Sequence, residues 1–143
     1  MGRVVAIDFG EKKIGLATSD LSKQIAFPFT TVLAGKNSQE TIQLIMKALK
    51  EKEPIELFVI GLPLHLDGNE SPMSLKVKEF GKILEEATHI KVHFFDERLS
   101  SKQVDARLKE QNLSRKKRDM ASDVLAAQVI LEAFLIRLPH LNL

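Results

Sequence analysis

The stretch Val4-Val5-Ala6-Ile7-Asp8-Phe9-Gly10-Glu11-Lys12-Lys13-Ile14-Gly15-Leu16-Ala17-Thr18 decides the fold. Its first four residues are apolar without alternation and mostly β-branched, the pattern of a strand covered on both faces of a sheet. The run stops at Asp8. Polar Glu11-Lys12-Lys13 lies between Gly10 and Gly15, and Ile14 resumes a strand pattern, so the chain is expected to turn in a hairpin near residues 10 to 13. A third strand is expected within residues 25 to 33. Pro28 interrupts it, and a residue with no N–H to give the ladder belongs at a sheet edge.

Downstream, Asn37 with Glu40 three residues later reads as the start of a helix over about 38–52, in which Ile42, Leu44, Ile45, Ala48 and Leu49 recur at helical spacing. Glu53-Pro54 breaks it. Leu57 to Ile60 is a second wholly apolar strand, ending at Gly61, and residues 62–72 with Asp67-Gly68-Asn69 form a loop just past its carboxyl end. Ser71-Pro72 opens the next helix, striped by Val77, Phe80, Gly81, Ile83 and Leu84. Ile90 to Phe95 is the fifth strand, stopped by Asp96-Glu97. Ser100 with Gln103 is expected to open a helix reaching about Gln111. Residues 112–119 read as a basic linker, and Ala126, Ala127, Ile130, Leu131 and Phe134 mark a last amphipathic helix up to about Arg137.

This order predicts an α/β fold with a mixed five-stranded sheet: an antiparallel meander first, then parallel crossovers, with helices on both faces. Right-handed crossovers place the fourth strand beside the first and bring the carboxyl ends of strands one, four and five to one rim. Composition sets the remaining bounds. With 143 residues, 44% of them apolar, the chain is expected to form one domain with a substantial core. Lys and Arg number 21 against 19 Asp and Glu, a formal charge of +2, so any basic surface must be local. The absence of cysteine excludes disulfides, thiol catalysis and Cys-ligated zinc, and suits a reducing cytosol. Neither a signal peptide nor a membrane helix is readable, and a cytoplasmic protein is expected.

An acid at the end of a buried strand loses hydration and needs a cation, a proton or several donors. Asp8 and Asp96-Glu97 are such ends. Asp123 joins them, because its helical neighbours Ala126, Ala127 and Ile130 put it on the face that packs inward. Three converging carboxylates repel, and hard divalent cations held by oxygen ligands relieve that repulsion. A pair of Mg²⁺ or Mn²⁺ ions serves in-line phosphoryl displacement, with water as the attacking group and no protein nucleophile required. Alternation along a strand sends the Asp96 and Glu97 side chains opposite ways, so only one of them should face the ions. Arg115, Lys116, Lys117 and Arg118, just before the helix that bears Asp123, together with Lys12 and Lys13 in the hairpin, are candidates for phosphate contacts.

Four blocks then carry a resemblance: Asp8 through Gly15, Ile60-Gly61-Leu62-Pro63 with Asp67-Gly68, Asp96-Glu97-Arg98-Leu99, and Asp123 with Ala126-Ala127 and Ile130-Leu131. In residues, order and spacing the chain resembles the YqgF family over nearly its whole length. That resemblance implies an RNase H-like fold related to the RuvC Holliday junction resolvases. It also implies a nuclease acting on branched DNA or on the 5′ end of precursor small-subunit (16S) ribosomal RNA. Carried over residue by residue, it makes Asp8, Glu97 and Asp123 the catalytic, metal-holding acids. Ser100-Ser101 and Ser122 depart from the family's usual threonines and aliphatic residue without removing a ligand. A resolvase is expected to act as a symmetric homodimer on a four-way junction, whereas an RNA-trimming enzyme need not.

Competing classes are weaker. A non-catalytic nucleic-acid-binding module would keep the basic surface and turn nothing over. No dinucleotide or P-loop glycine motif is present, and the chain is short for a two-lobed ATP-binding fold. His89 and His93 share a predicted strand, where the helical zinc spacing does not apply.

Overall fold

The computed structural model describes residues 2–99 and 115–141, with backbone only for residue 99 and residues 115–122. Five strands, β1 (Arg3–Phe9), β2 (Lys13–Ser19), β3 (Ala26–Leu33), β4 (Ile55–Leu62) and β5 (Lys91–Asp96), form one sheet in the order β3-β2-β1-β4-β5. The first three run as an antiparallel meander, and β1, β4 and β5 are parallel neighbours. β3 lies at the edge, as Pro28 requires, and the β2–β3 register shifts next to it. Helices α1 (Ser38–Ala48) and α2 (Pro72–Thr88) supply the crossovers, and α3 (Arg115–Arg137) follows β5.

Local chemistry sets the ends of these helices. Asn37 Oδ1 accepts the Glu40 N–H at 2.9 Å at the head of α1. Ser71 and Ser74 cap α2 reciprocally, with Pro72 at its first position. The expected helix over 38–52 stops as α-helix at Ala48; Lys50–Lys52 makes one tighter 3₁₀ turn before Pro54. His89 closes α2 in the left-handed region (φ 59°), so it does not share a strand with His93. The basic run is not a linker. Arg115 to Arg118 open α3, because Arg and Lys are good helix formers and neither Gly nor Pro interrupts residues 112–119. The helix expected from Ser100 to Gln111 lies outside the described residues.

The sheet has two unlike faces. Val5, Ile7, Ile14, Leu16, Phe58 and Ile60 pack large side chains against Ile42 and Ile45 of α1 and Val77, Phe80 and Leu84 of α2. On the other face Val4, Ala6, Ala17, Leu57, Val59 and Phe95 meet Ala127, Ile130, Leu131 and Phe134 of α3. The small residues at the middle of that second face let one helix lie close to the sheet, across β1, β2, β3 and β4. Among the described residues no helix is long and apolar enough to cross a membrane.

This asymmetry has a measurable consequence. Ala17→Leu, at a fully buried position under α3, is expected to cost about 1–3 kcal/mol by overpacking. Ile7→Val on the opposite face should cost only about 0.5–1.5 kcal/mol. Urea denaturation midpoints compare the two, and an Ala17→Leu cost below that of Ile7→Val would contradict the close approach of α3.

Candidate active site

Asp8 is the point from which the site is built. Val4 and Ala6 face α3, and the two-residue period of the strand puts the Asp8 side chain on that same face, one pair beyond the apolar core. Gly15 pairs with Asp8 across the hairpin, and Gly61 follows the Ile7–Ile60 pair on the other side. A row of glycine, aspartate and glycine therefore crosses the sheet at its carboxyl-end rim.

Both glycines are spaces that other groups occupy. A Cβ on Gly15 would overlap the Asp123 carbonyl oxygen, so the missing side chain lets α3 bring Asp123 down onto the hairpin. A Cβ on Gly61 would stand 2.5 Å from Glu97 Oε1 and 2.6 Å from Ile130 Cδ1. Glu97, in the single 3₁₀ turn after β5, thus lays its carboxylate over Gly61 toward Asp8. The sequence marks both positions as glycine, but only the third dimension reveals what fills them.

The three carboxyls are half-buried, walled by packing yet reachable from solvent. Burial pushes the Asp8 carboxyl up to about 9, and the facing Glu97 charge, a hydrogen bond to Glu97 and the Asp123 charge add to the rise. Burial also raises Glu97, against the hydrogen bond it accepts from Asp8, and the neighbouring Asp96 charge adds to the rise. The two carboxyls are thus in direct contact, and burial with their mutual charge favours the protonated form of Asp8. Asp123 is raised by burial too, while Lys13 pulls it back down.

Asp96 does something else. Arg98 Nε reaches both its carboxylate oxygens at 3.0 and 2.9 Å, which holds the Asp96 carboxyl below its ordinary range. Arg98 Nη1 also donates to the Leu66 carbonyl at 3.1 Å, tying the loop after β4 to the turn that carries Glu97. The sequence-predicted acids Asp8, Glu97 and Asp123 are therefore brought together, and Asp96 is turned to another partner. Lys12 and Lys13 are exposed at the hairpin beside them. Arg115 to Arg118 start the helix that delivers Asp123 about two turns later.

An oxygen-only donor set with more negative charge than its surroundings tolerate suits a hard divalent cation. Among the described residues no three His, Cys, Asp or Glu side chains are already arranged as a metal cage, so the fit rests on donor chemistry and electrostatics.

Solved structures of Holliday junction resolvases share this fold. Thermus thermophilus RuvC in complex with a Holliday junction substrate superposes with a TM-score of 0.52 at 17% identity, covering 96% of each chain. The fowlpox virus Holliday junction resolvase gives 0.52 at 14% identity, over 97% of this chain and 99% of its own. The chain belongs to the family described as RuvX: Holliday junction resolvase, whose model matches residues 2–137. Its relatives include the Protochlamydia amoebophila protein named putative pre-16S rRNA nuclease, 38% identical over 93% of this chain and 92% of its own. A Rhodobacter capsulatus protein of the same name is 39% identical over 99% of this chain and 88% of its own.

The Asp8 environment predicts a stability effect with a definite sign. Its carboxyl loses its proton near 3.8 when unfolded and near 9 when folded, so without metal ions folding requires proton uptake throughout that window. The cost grows as pH rises from about 4 toward 9. In EDTA at pH 8, Asp8→Asn should therefore melt higher than wild type by at least about 2–4 °C, the equivalent of about 1 kcal/mol in a chain this size. The advantage should shrink at pH 5. A lower melting temperature for Asp8→Asn at pH 8 would contradict the buried contact.

Proposed function

We propose that this chain is a divalent-metal-dependent endonuclease that hydrolyses phosphodiesters of structured nucleic acid, with Asp8, Glu97 and Asp123 as the acids that hold the ions. The observation that carries this proposal is the direct meeting of the Asp8 and Glu97 carboxyls on the rim, with Asp123 delivered beside them by α3. Two Mg²⁺ or Mn²⁺ ions bound there would supply positive charge to the attacking and leaving oxygens of an in-line displacement. The other contributions belong to the protein. Gly15 and Gly61 keep the acids at close range, and the Asp96–Arg98 pair fixes the turn from which Glu97 projects. Lys12 and Lys13, with Arg115, Lys116, Lys117 and Arg118, are the groups for phosphate contacts, which set register without reading sequence.

The relatives' names favour maturation of the 5′ end of pre-16S rRNA, and the resolvase neighbours favour four-way DNA junctions. One acid cluster handles either backbone, and both tasks place the enzyme in the cytoplasm. On a junction, which has two strands to cut, the chain would act as a symmetric homodimer. Its mass with and without a junction reads that directly.

Cleavage of precursor ribosomal RNA and of branched DNA in Mg²⁺ or Mn²⁺ tests the proposal. Wild type should cut at least one of them, EDTA should abolish cutting, and Asp8→Asn and Glu97→Gln should each lose about 100-fold or more. Equal activity in wild type and Asp8→Asn would remove Asp8 from the chemistry. Tight binding with neither turnover nor calorimetric heat from millimolar Mg²⁺ or Mn²⁺ would assign the chain to the non-catalytic binding modules instead.

A further inference from the structure

The two lysines of the β1–β2 hairpin are not equivalent. Lys12 acts on Glu11: Lys76 of α2, paired with Glu11, and Lys12 after it hold that carboxyl below its ordinary range. Lys13 acts on Asp123, where its charge opposes the rise that burial imposes. The backbone accounts for this division. Lys13 begins β2, and the two-residue period of that strand puts its side chain on the face of Gly15 and Ala17, the face covered by α3. Gly15 is where Asp123 lies against the hairpin, and a Cβ there would stand 3.0 Å from Asp123 Cβ. Lys13 is two residues from that contact, about 7 Å along the strand, within the span of its own four-carbon stem.

The root of that stem is fixed. The Ala34 N–H donates to the Lys12 carbonyl at 2.9 Å, and the Glu11–Lys76 pair ties the hairpin to α2. A Cβ on Gly10 would stand 2.5 Å from the Lys13 carbonyl oxygen, so the turn closes tightly on itself. The side chain beyond it is exposed. A compact charge on a flexible stem can change partners without any movement of the hairpin.

A positive charge beside Asp123 has two consequences. It lowers the affinity of that carboxylate for any other cation, because like charges separated by less than the Debye length of about 8 Å still repel. Once the carboxylate is neutralised by such a cation, Asp123 no longer attracts the ammonium, and a phosphate brought to the rim does.

Resting on the endonuclease reading, we propose that Lys13 competes with a divalent cation for the Asp123 carboxylate and, displaced from it, turns to a phosphate of the bound nucleic acid. Lys13 thereby couples the two binding events, and by linkage each raises the affinity of the other. Lys12, directed to Glu11, takes no part in the exchange.

Calorimetry with Mn²⁺ and the protein alone, at low ionic strength, is the first test. Lys13→Gln should bind Mn²⁺ about three- to tenfold more tightly than wild type, while Lys13→Arg, which keeps the charge, and Lys12→Gln should stay within about twofold of it. Equal or weaker Mn²⁺ binding by Lys13→Gln, or an equal gain in Lys12→Gln, overturns the proposal. Heat absent from wild type and every variant removes the metal-holding reading and this proposal with it.

The second test reads binding instead of cleavage. A fluorescently labelled four-way DNA junction and a labelled RNA duplex with a single-stranded 5′ extension are titrated with protein in EDTA and in Ca²⁺, an oxygen-seeking cation of looser geometry than Mg²⁺. Wild type should bind at least one probe more tightly in Ca²⁺, and that gain should fall about threefold or more in Lys13→Gln. Equal gains in the two proteins, or no gain in wild type, overturn the coupling. If both Lys13 effects hold and wild type cuts neither probe in Mg²⁺ or Mn²⁺, the exchange at Asp123 stands and the nuclease reading falls. Cleavage by a protein whose Mn²⁺ affinity ignores Lys13 gives the reverse.

Discussion

The contact between the Asp8 and Glu97 carboxyls is the constraint that organises the carboxyl-end rim. Two acids at the end of a hydrophobic sheet oppose folding unless a proton or a cation neutralises them. The fold tolerates this because the cost falls on one edge of the sheet. The layer formed by β1, β4, α1 and α2 buries Val5, Ile7, Phe58 and Ile60 away from the acids, and its packing does not depend on their charge state. Stability is supplied by one face and edge strain is accepted at the other, the usual separation between a scaffold and the site it carries.

Close approach is the second requirement. α3 reaches the sheet because Ala6, Ala17 and Gly15 present little bulk, and Glu97 reaches Asp8 because Gly61 presents none. The same helix begins with four basic residues and passes Asp123 about two turns later, so one element joins a basic end to a carboxylate at the rim. Arg98 performs a comparable task on the far side, where its fork holds Asp96 and the loop after β4 together. Each acid is therefore set by a different kind of element: a strand end for Asp8, a single turn for Glu97 and a helix for Asp123.

Much of this is readable in the amino-acid order. Periodicity gives all five strands, Pro28 marks the edge, and the Asn37 and Ser71 caps begin their helices, because those signals are local. Asp8, Glu97 and Asp123 stand out for the same reason: charge placed where burial is expected. The remainder depends on contacts between distant residues. Nothing near Gly15 says that residue 123 lies against it, and Arg98 could as easily have paired with Glu97 as with Asp96 from sequence alone. The basic run 115–118 reads as a linker because charge density suggests solvent, yet Arg and Lys propagate a helix readily when nothing breaks it.

Crystals grown with Mn²⁺ offer the most direct check, because anomalous scattering locates that ion without assumptions about its ligands. Peaks are expected at the rim, within coordination distance of carboxylate oxygens from Asp8, Glu97 and Asp123, and should be absent from crystals of Asp8→Asn. Well-ordered protein density with no ion there at millimolar Mn²⁺, or an ion bound only at sites that exclude these three side chains, would contradict the assignment of a metal-dependent nuclease centre.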